Sequence, residues 1–184
     1  MALVESTMLP LGTTASAFEL PDTMSGAKIN WYDVKGERGT LVYFICNHCP
    51  YVIHCMDELV DVVNDYEERG IGAVAISSND VSRYPADSPE KMEQFALNNL
   101  FTFPYLYDES QEVARAYDAA CTPDIYLFDG QDKLYYRGRL DESRPKSGKP
   151  VTGADLRAAL DDLLVGKEAP EKQYPSAGCS IKWK

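Results

Sequence analysis

The sequence predicts an α/β domain with a central mixed β-sheet and helices on both faces. Continuous apolar runs at 41–45 and 71–76 are typical of strands that are covered on both sides of a sheet. Between them, apolar residues recur at spacings of three and four after Pro50, which is the period of an amphipathic helix. Two later apolar runs flank Asp129-Gly130, which indicates a β-hairpin turn. This alternation of strands and helices favours one layered domain.

The chain begins with a segment, residues 1–16, that has neither helical nor strand periodicity, so we expect a loosely held N-terminal arm. Short runs at 18–20 and 29–32 predict a β-hairpin extension before the central strand. From there the predicted elements are strand 41–45, the helix from Pro50, strand 71–76, a helix from Pro89, edge strand 103–107, a short helix after Ser110, the hairpin 125–139 and a helix ending at Leu164. We therefore expect a main domain over 17–165 and a C-terminal tail over 166–184.

The composition favours one globular domain and disfavours several classes of partner. The chain of 184 residues is long enough for one substantial core and too short to make two domains the expectation. Eighteen basic and 29 acidic residues leave a formal net charge of −11, which disfavours nucleic acid and anionic membrane surfaces. The first basic residue, Lys28, comes too late for a secretory leader that ends near Ala17. We therefore expect a cytoplasmic protein, in which two of the five cysteines form a catalytic pair and the others are thiols.

Cys46 and Cys49, separated by two residues, stand between the central strand and the next helix. A helix N-terminus has unpaired backbone N–H groups and a partial positive charge, and both favour a thiolate over a thiol. We expect the first sulfur to lie there, which makes Cys46 the predicted nucleophile and allows a reversible disulfide with Cys49. Pro50 suits the first helical turn because its φ is fixed and it has no N–H. His48, if protonated, would stabilise the Cys46 thiolate further, the alternative being a passive loop residue.

The strand, the cysteine pair and the helix together resemble the thioredoxin superfamily, and the histidine of Cys46-Asn47-His48-Cys49 resembles that of the Cys-Pro-His-Cys of periplasmic disulfide oxidases. Over 17–164 the chain is more similar to the peroxiredoxin-like proteins grouped with the alkyl hydroperoxide reductases. The segments that carry this similarity are Phe18-Glu19-Leu20-Pro21-Asp22, Cys49-Pro50 and Thr122-Pro123-Asp124. The resemblance implies a thioredoxin-like fold in which Cys49 takes the place of the peroxidatic cysteine. Cys46 stands where those enzymes have a threonine, and no arginine immediately precedes strand 125–128, which favours dithiol chemistry.

The resemblance also implies a substrate-binding role for Thr122 and Pro123. Thioredoxin-fold proteins hold the equivalent proline in cis opposite the cysteine pair, and the residue before it pairs its backbone with an extended substrate. A trans proline at the start of an edge strand is the alternative. Cys121 is either a buried small apolar residue, which we favour, or an additional redox sulfur. Cys179 lies in a tail that we expect to pack on the domain, the alternative being an exposed, mobile resolving cysteine.

These residues lead to three functional hypotheses. The first is a thiol–disulfide oxidoreductase in which Cys46 forms a mixed disulfide and Cys49 resolves it, with a thiol protein or glutathione as electron donor or acceptor. The second is a thiol peroxidase, an antioxidant activity in which peroxide oxidises Cys49 to a sulfenic acid and Cys46 closes the disulfide. The third is a non-enzymatic redox-sensing or metal-binding module. We expect no cofactor and no metal, because a structural zinc site needs further cysteine or histidine ligands.

A general base for the pair is not evident in the sequence. Asp57 and Glu58 lie on the following helix and Asp124 follows the proline, but acidic residues on helices are mostly solvated. The polar loop 77–87 could border the redox site or cap strands, and we favour capping. Cys55 is expected to belong to the core.

Overall fold

The structure, a computed structural model, describes residues 3–184 as ten β-strands, five α-helices and one 3₁₀ turn. In chain order these elements are β1 Leu3–Glu5, β2 Glu19–Pro21, β3 Lys28–Asn30, α1 Trp31–Val34, β4 Gly39–Phe44, α2 Pro50–Glu67, β5 Ile71–Ser77, the 3₁₀ turn Pro85–Asp87, α3 Pro89–Asn98, β6 Tyr105–Tyr107, α4 Glu112–Ala116, β7 Cys121–Thr122, β8 Asp124–Asp129, β9 Leu134–Arg137, α5 Ala154–Leu164 and β10 Ala177–Ser180.

The central sheet has the strand order β6-β5-β4-β8-β9. β4, β5 and β6 are parallel to one another, whereas β8 pairs antiparallel with β4 and β9, so the predicted mixed sheet is confirmed. Every residue of β4 is buried, and its side chains alternate between two cores. Leu41 and Tyr43 face the core that contains α2, α3 and α5, and Val42 and Phe44 face the core that contains α1 and α4. Helices therefore cover both faces, as expected.

Helix α2 positions the redox segment and is anchored along one face. Pro50 occupies its first position, and the predicted apolar stripe is buried against the sheet. This stripe consists of Val52, Met56, Leu59, Val63 and Tyr66. Burial of a Leu or Met side chain contributes roughly 1.5–3 kcal/mol, so the start of α2 is held rigidly at the end of β4.

The predicted N-terminal hairpin is confirmed as β2 paired with β3, but its second strand is shorter than expected. β3 ends at Asn30 because this side chain caps a helical turn, accepting hydrogen bonds from the backbone N–H groups of Tyr32 and Asp33. The Asp33 carboxylate accepts the Asn30 N–H in return. This capping box outweighs the apolar pattern of 29–32, and the expectation of a strand there is wrong after Asn30.

A small second sheet joins the two ends of the chain, with strand order β1-β10-β7. The expectation of a loosely held arm over 1–16 is wrong for the described residues. β1 pairs with β10, the Ser6 N–H donates to the Ser176 carbonyl, and the Gly12 N–H donates to Leu134. The tail packs on the domain as expected, since Ile181 is buried. Between residues 3 and 184, none of the helices is both long and apolar enough to cross a membrane.

Candidate active site

Cys46 and Cys49 lie in the short segment between the end of β4 and the start of α2, and both are buried. Cys49 is the N-cap residue of α2. The expectation that the first sulfur sits at the helix N-terminus is therefore wrong. Cys49, and not Cys46, lies at the positive end of the helix dipole, and Pro50 follows it at the first helical position.

The two sulfurs have opposite acid–base properties. The pKa of Cys49 is lowered to about 4, first by its side-chain hydrogen bond with Cys46 and then by the side chains of Cys179 and Thr122 and the backbone of Val52. The pKa of Cys46 is raised well above its ordinary value, first by its hydrogen bond to Cys49 and then by burial and the Asp87 carboxylate. In the reduced site these surroundings favour loss of the proton from Cys49 over loss of the proton from Cys46.

Asp87 is a site residue that the sequence analysis did not find. Its side chain is fully buried in the 3₁₀ turn, where the Asn47 N–H donates to Oδ1 at 2.8 Å and the Asn79 amide donates to Oδ2 at 2.8 Å. Tyr105 Oη in turn donates to Asn47 Oδ1 at 2.9 Å. The loop 77–87 thus borders the redox segment, and the preference for simple strand capping is wrong. Its density of hydrogen-bonding side chains was the signal in the sequence.

His48 points toward this buried carboxylate. Its Nδ1 lies 2.7 Å from Asp87 Oδ2, and its ring stacks parallel to Tyr84 with 5.9 Å between the ring centroids. Asp87 and Tyr84 therefore fix the position of the His48 ring. Single ligand atoms of Cys46, His48 and Asp87 lie within 4.8 Å of one another, a group that could hold a metal ion. Three ligands are fewer than the four of a structural zinc site.

Thr122 and Pro123 face the cysteine pair from the end of β7, and the peptide bond between them is cis, as predicted. Thr122 Oγ1 lies 3.5 Å from Cys46 Sγ, and the Thr122 carbonyl oxygen lies 3.2 Å from Cys49 Sγ. The residue therefore contacts both sulfurs, with its hydroxyl and with its backbone.

The edge of Thr122 that was expected to bind an extended substrate is occupied by the tail of the chain itself. In the antiparallel ladder between β7 and β10, Cys179 lies opposite Thr122. Cys179 is buried, and its Sγ is 2.8 Å from Cys49 Sγ. The alternative of an exposed cysteine is therefore wrong, and Cys179 forms the third sulfur of the site.

The other candidates lie outside this group of sulfurs. Cys55 is buried in the core, as expected, and donates its S–H to the Tyr51 carbonyl. Burial also raises the pKa of Cys121, whose Sγ is 3.5 Å from the Pro123 carbonyl oxygen. Asp57 is exposed, and Glu58 forms an ion pair with Arg157 at 2.6 Å. Burial raises the pKa of Asp124 to about 6, and its carboxylate accepts the Ala120 N–H.

Sequence relatives of the chain come from two groups of thiol enzymes. The thiol-disulfide oxidoreductase ResA of Geobacillus kaustophilus (strain HTA426) is 30% identical over 142 residues, which cover 74% of this chain and 74% of ResA. Peroxiredoxin Bcp of Escherichia coli (strain K12) is 28% identical over 109 residues, which cover 59% of this chain and 64% of Bcp.

Solved structures agree with the predicted fold. A conserved protein from Geobacillus kaustophilus matches with a TM-score of 0.98 and 56% identity, over 100% of this chain and 97% of its own. The thioredoxin domain of a thiol-disulfide oxidoreductase from Bacteroides vulgatus matches with a TM-score of 0.66 and 19% identity, over 85% of this chain and 99% of that domain. The thioredoxin-like fold is therefore confirmed.

A family model provides the assignment. The model for the AhpC/TSA family matches residues 11–137, which is more than half of the chain. Relatives named as peroxiredoxins and as thiol-disulfide oxidoreductases are enzymes, so the predicted class, a thiol-dependent oxidoreductase, is confirmed. The chain belongs to the AhpC/TSA family.

Proposed function

We propose that this protein is a thiol–disulfide oxidoreductase that uses Cys46 and Cys49 as a two-electron dithiol–disulfide couple. The observation that carries the proposal is that Cys46 and Cys49 lie together in one buried segment at the start of α2, where the pKa of Cys49 is lowered and the pKa of Cys46 is raised. The lowered pKa suits Cys49 to nucleophilic attack, and the raised pKa keeps Cys46 protonated until the resolving step. The relative ResA, named as a thiol-disulfide oxidoreductase, supports the same chemistry.

In the reducing direction, Cys49 is the attacking sulfur. Its thiolate attacks one sulfur of a disulfide, forms a mixed disulfide and releases the first thiolate. Cys46 then loses its proton and attacks the Cys49 sulfur, which closes the Cys46–Cys49 disulfide and releases the second thiolate. This order reverses the roles predicted from the sequence, because the helix N-terminus acts on Cys49.

Asp87 and His48 are placed to take the proton that Cys46 loses. Ligand atoms of the three residues lie within 4.8 Å, and the Asp87 carboxylate is fixed by Asn47 and Asn79. A buried carboxylate raises the pKa of the neighbouring thiol while that thiol is idle. It can then accept the proton when Cys46 attacks.

The occupied Thr122 edge favours small partners over extended protein chains. A protein substrate cannot pair with Thr122 while β10 is paired there. Glutathione, or another small thiol or disulfide, needs only access to the sulfurs. We therefore infer that a small thiol is the electron donor or acceptor, in keeping with the predicted cytoplasmic location.

A thiol peroxidase is the second candidate, and the low pKa of Cys49 at the N-cap of α2 specifically favours it. In this reaction the Cys49 thiolate attacks a peroxide, taking one oxygen to become a sulfenic acid while the alcohol or water leaves. The Cys46 thiol then displaces water from the sulfenic acid and closes the disulfide. The relative Bcp is named as a peroxiredoxin.

The two candidates separate when one reduced sample is tested with two substrates. Oxidised glutathione and hydrogen peroxide are added separately, and the rate of Cys46–Cys49 disulfide formation is measured by rapid quench and mass spectrometry. The proposal predicts fast reaction with oxidised glutathione in the wild type, loss in Cys49→Ser, and no change in the control Cys55→Ser. Peroxide oxidation much faster than that of free cysteine would instead establish the peroxidase. Reaction with neither substrate would reject both.

A further inference from the structure

The C-terminal strand β10 brings a third cysteine to the sulfur pair. Cys179 Sγ lies 2.8 Å from Cys49 Sγ, whereas a disulfide bond is about 2.05 Å long. A shift of less than about 1 Å would join them. The two residues are 130 positions apart in the chain, so this contact depends on the way in which the tail is held.

Backbone pairing on both sides fixes the position of Cys179. β10 is the middle strand between β1 and β7, and Cys179 lies opposite Leu3 on one side and Thr122 on the other. The Ser176 hydroxyl donates to the Pro123 carbonyl at 2.6 Å, which ties the start of the strand to the cis-proline turn.

Gly178 allows this close approach. A Cβ atom at position 178 would lie 1.9 Å from the Thr122 carbonyl oxygen, a distance that no side chain could tolerate. Only glycine lets β10 lie against the backbone that contacts both sulfurs. The tail is thus built to dock where an external substrate chain would otherwise pair.

We propose that Cys179 is a third redox sulfur, which receives the disulfide from the Cys46/Cys49 pair at Cys49. This inference rests on the proposed function, since Cys49 must first be oxidised. In the transfer the Cys179 thiol loses its proton, its sulfur bonds to Cys49 Sγ, and the Cys46–Cys49 bond breaks. The proton then moves to the Cys46 sulfur. Cys179 replaces Cys46 as the partner of Cys49 in the disulfide, so no external oxidant or reductant is consumed.

Oxidation of the Cys46/Cys49 pair lowers the pKa of Cys179, which favours the transfer. In the reduced site the pKa of Cys179 is raised to about 12 by three causes together. These are burial, the hydrogen bond to Cys49 and the negative charge of Cys49. Once Cys49 is in a disulfide, its thiolate charge is gone and two of these three causes disappear. The positive charge of Lys182, which lowers the pKa of Cys179, remains. Oxidation of the pair therefore makes Cys179 a better nucleophile.

The same sulfur can also resolve a mixed disulfide on Cys49. If oxidised glutathione reacts with the Cys49 thiolate, one glutathione leaves as a thiolate and the other stays bound to Cys49. Attack by Cys179 on Cys49 then releases the second glutathione and closes the Cys49–Cys179 bond. The product links the C-terminal tail covalently to the start of α2.

Peptide mapping of the full chain tests the proposal. Trypsin releases Cys46, Cys49 and Cys55 in the peptide 39–69 and Cys179 in the peptide 173–182, so a Cys49–Cys179 bond joins two peptides. The wild type, in which the Cys46–Cys49 disulfide can pass to Cys179, and Cys46→Ser, in which only a mixed disulfide on Cys49 can precede the link, are each oxidised with oxidised glutathione. Free thiols are then alkylated, and the digests are analysed without reduction. We expect most molecules to carry the 39–69/173–182 link, with Cys49 identified by fragmentation. Glutathione retained on Cys49 without this link would overturn the proposal.

Two further variants separate this inference from the proposed function and from a folding defect. Cys55→Ser should keep the link, because Cys55 lies outside the group of sulfurs. Gly178→Val retains all five cysteines and should lose the link by displacing β10, while the Cys46–Cys49 disulfide still forms. Persistence of the link in Gly178→Val would contradict the proposal. In Cys179→Ser, failure of Cys46 and Cys49 to join would reject the proposed function, even if the link had formed in Cys46→Ser.

Discussion

At the scale of single residues, the chemistry of the site follows from the different surroundings of Cys46 and Cys49. Cys49 lies at the N-cap of α2, and its pKa is lowered first by its hydrogen bond with Cys46, whereas Cys46 faces the buried carboxylate of Asp87, which raises its pKa. Both sulfurs are buried, so burial alone would raise both pKa values. The difference therefore depends on hydrogen bonding and charge, and single substitutions should change it.

The first prediction concerns the thiolate at Cys49. Its alkylation rate should stay constant as the pH is lowered from neutral and should fall only near pH 4, the lowered pKa of Cys49. An ordinary cysteine has a pKa of about 8.5, so its rate would already be falling at neutral pH. Since the hydrogen bond from Cys46 is the largest cause of the lowered pKa, Cys46→Ser should move this fall to higher pH. The rate is measured at Cys49 by mass spectrometry of pulse-alkylated samples. Equal midpoints in the two proteins would contradict the assignment.

The second prediction concerns Asp87. Its negative charge helps to raise the pKa of Cys46, so Asp87→Asn should lower that pKa and shift the alkylation of Cys46 to lower pH. The comparison is made in a Cys49→Ser background, where the two sulfurs no longer titrate together. Asp57→Asn, at an exposed acidic position on α2, is the matched control and should leave the midpoint unchanged. A shift as large in the control would show a general effect of net charge.

At the scale of elements, the part of the site that follows from local sequence is the segment from β4 into α2. The buried alternation of β4, Pro50 at the first helical position and the apolar stripe of α2 are all local patterns, and each was predictable. The position of the helix start relative to the cysteines was not. A shift of three residues along the chain decides which sulfur the helix N-terminus stabilises, and helix ends are the least certain part of a sequence pattern.

The third prediction concerns the docking of β10. Gly178→Ala places a Cβ against the Thr122 carbonyl, so the backbones of β10 and β7 must separate. We expect the free energy of unfolding to fall by about 1–3 kcal/mol, as for other overpacked sites. Urea unfolding of the reduced protein measures the change. Ser180→Ala, a half-buried substitution on the same strand, should stay within about 0.5 kcal/mol of the wild type. Equal effects of the two substitutions would argue against close docking at Gly178.

At the scale of the whole molecule, the site is completed by contacts between distant parts of the chain. Asp87 is 40 residues from Asn47, and Cys179 is 130 residues from Cys49. Neither contact follows from local periodicity, because both depend on how loops and chain ends pack across the fold. The layered architecture was predictable since it follows from repeated apolar patterns. The small sheet that joins the chain ends was not predictable, because β1, β7 and β10 span only two to four residues each.

The pairing of β10 with β7 also affects which partners can reach the sulfurs. The tail occupies the edge beside the cis-proline turn, and all three sulfurs of the site are buried. An extended protein chain could therefore pair with Thr122 only after β10 leaves.

The midpoint potential of the Cys46/Cys49 pair tests the central claim most directly. Cys179→Ser, which removes the third sulfur of the site, is equilibrated in thiol–disulfide buffers across about −320 to −120 mV, a range that includes the most oxidising dithiol proteins. After alkylation, the mass of the peptide 39–69 reports the oxidised fraction. We predict one two-electron transition in which Cys46 and Cys49 lose their alkylation together while Cys55 stays alkylated. Alkylation of both cysteines at every potential would show that the pair is not a redox couple.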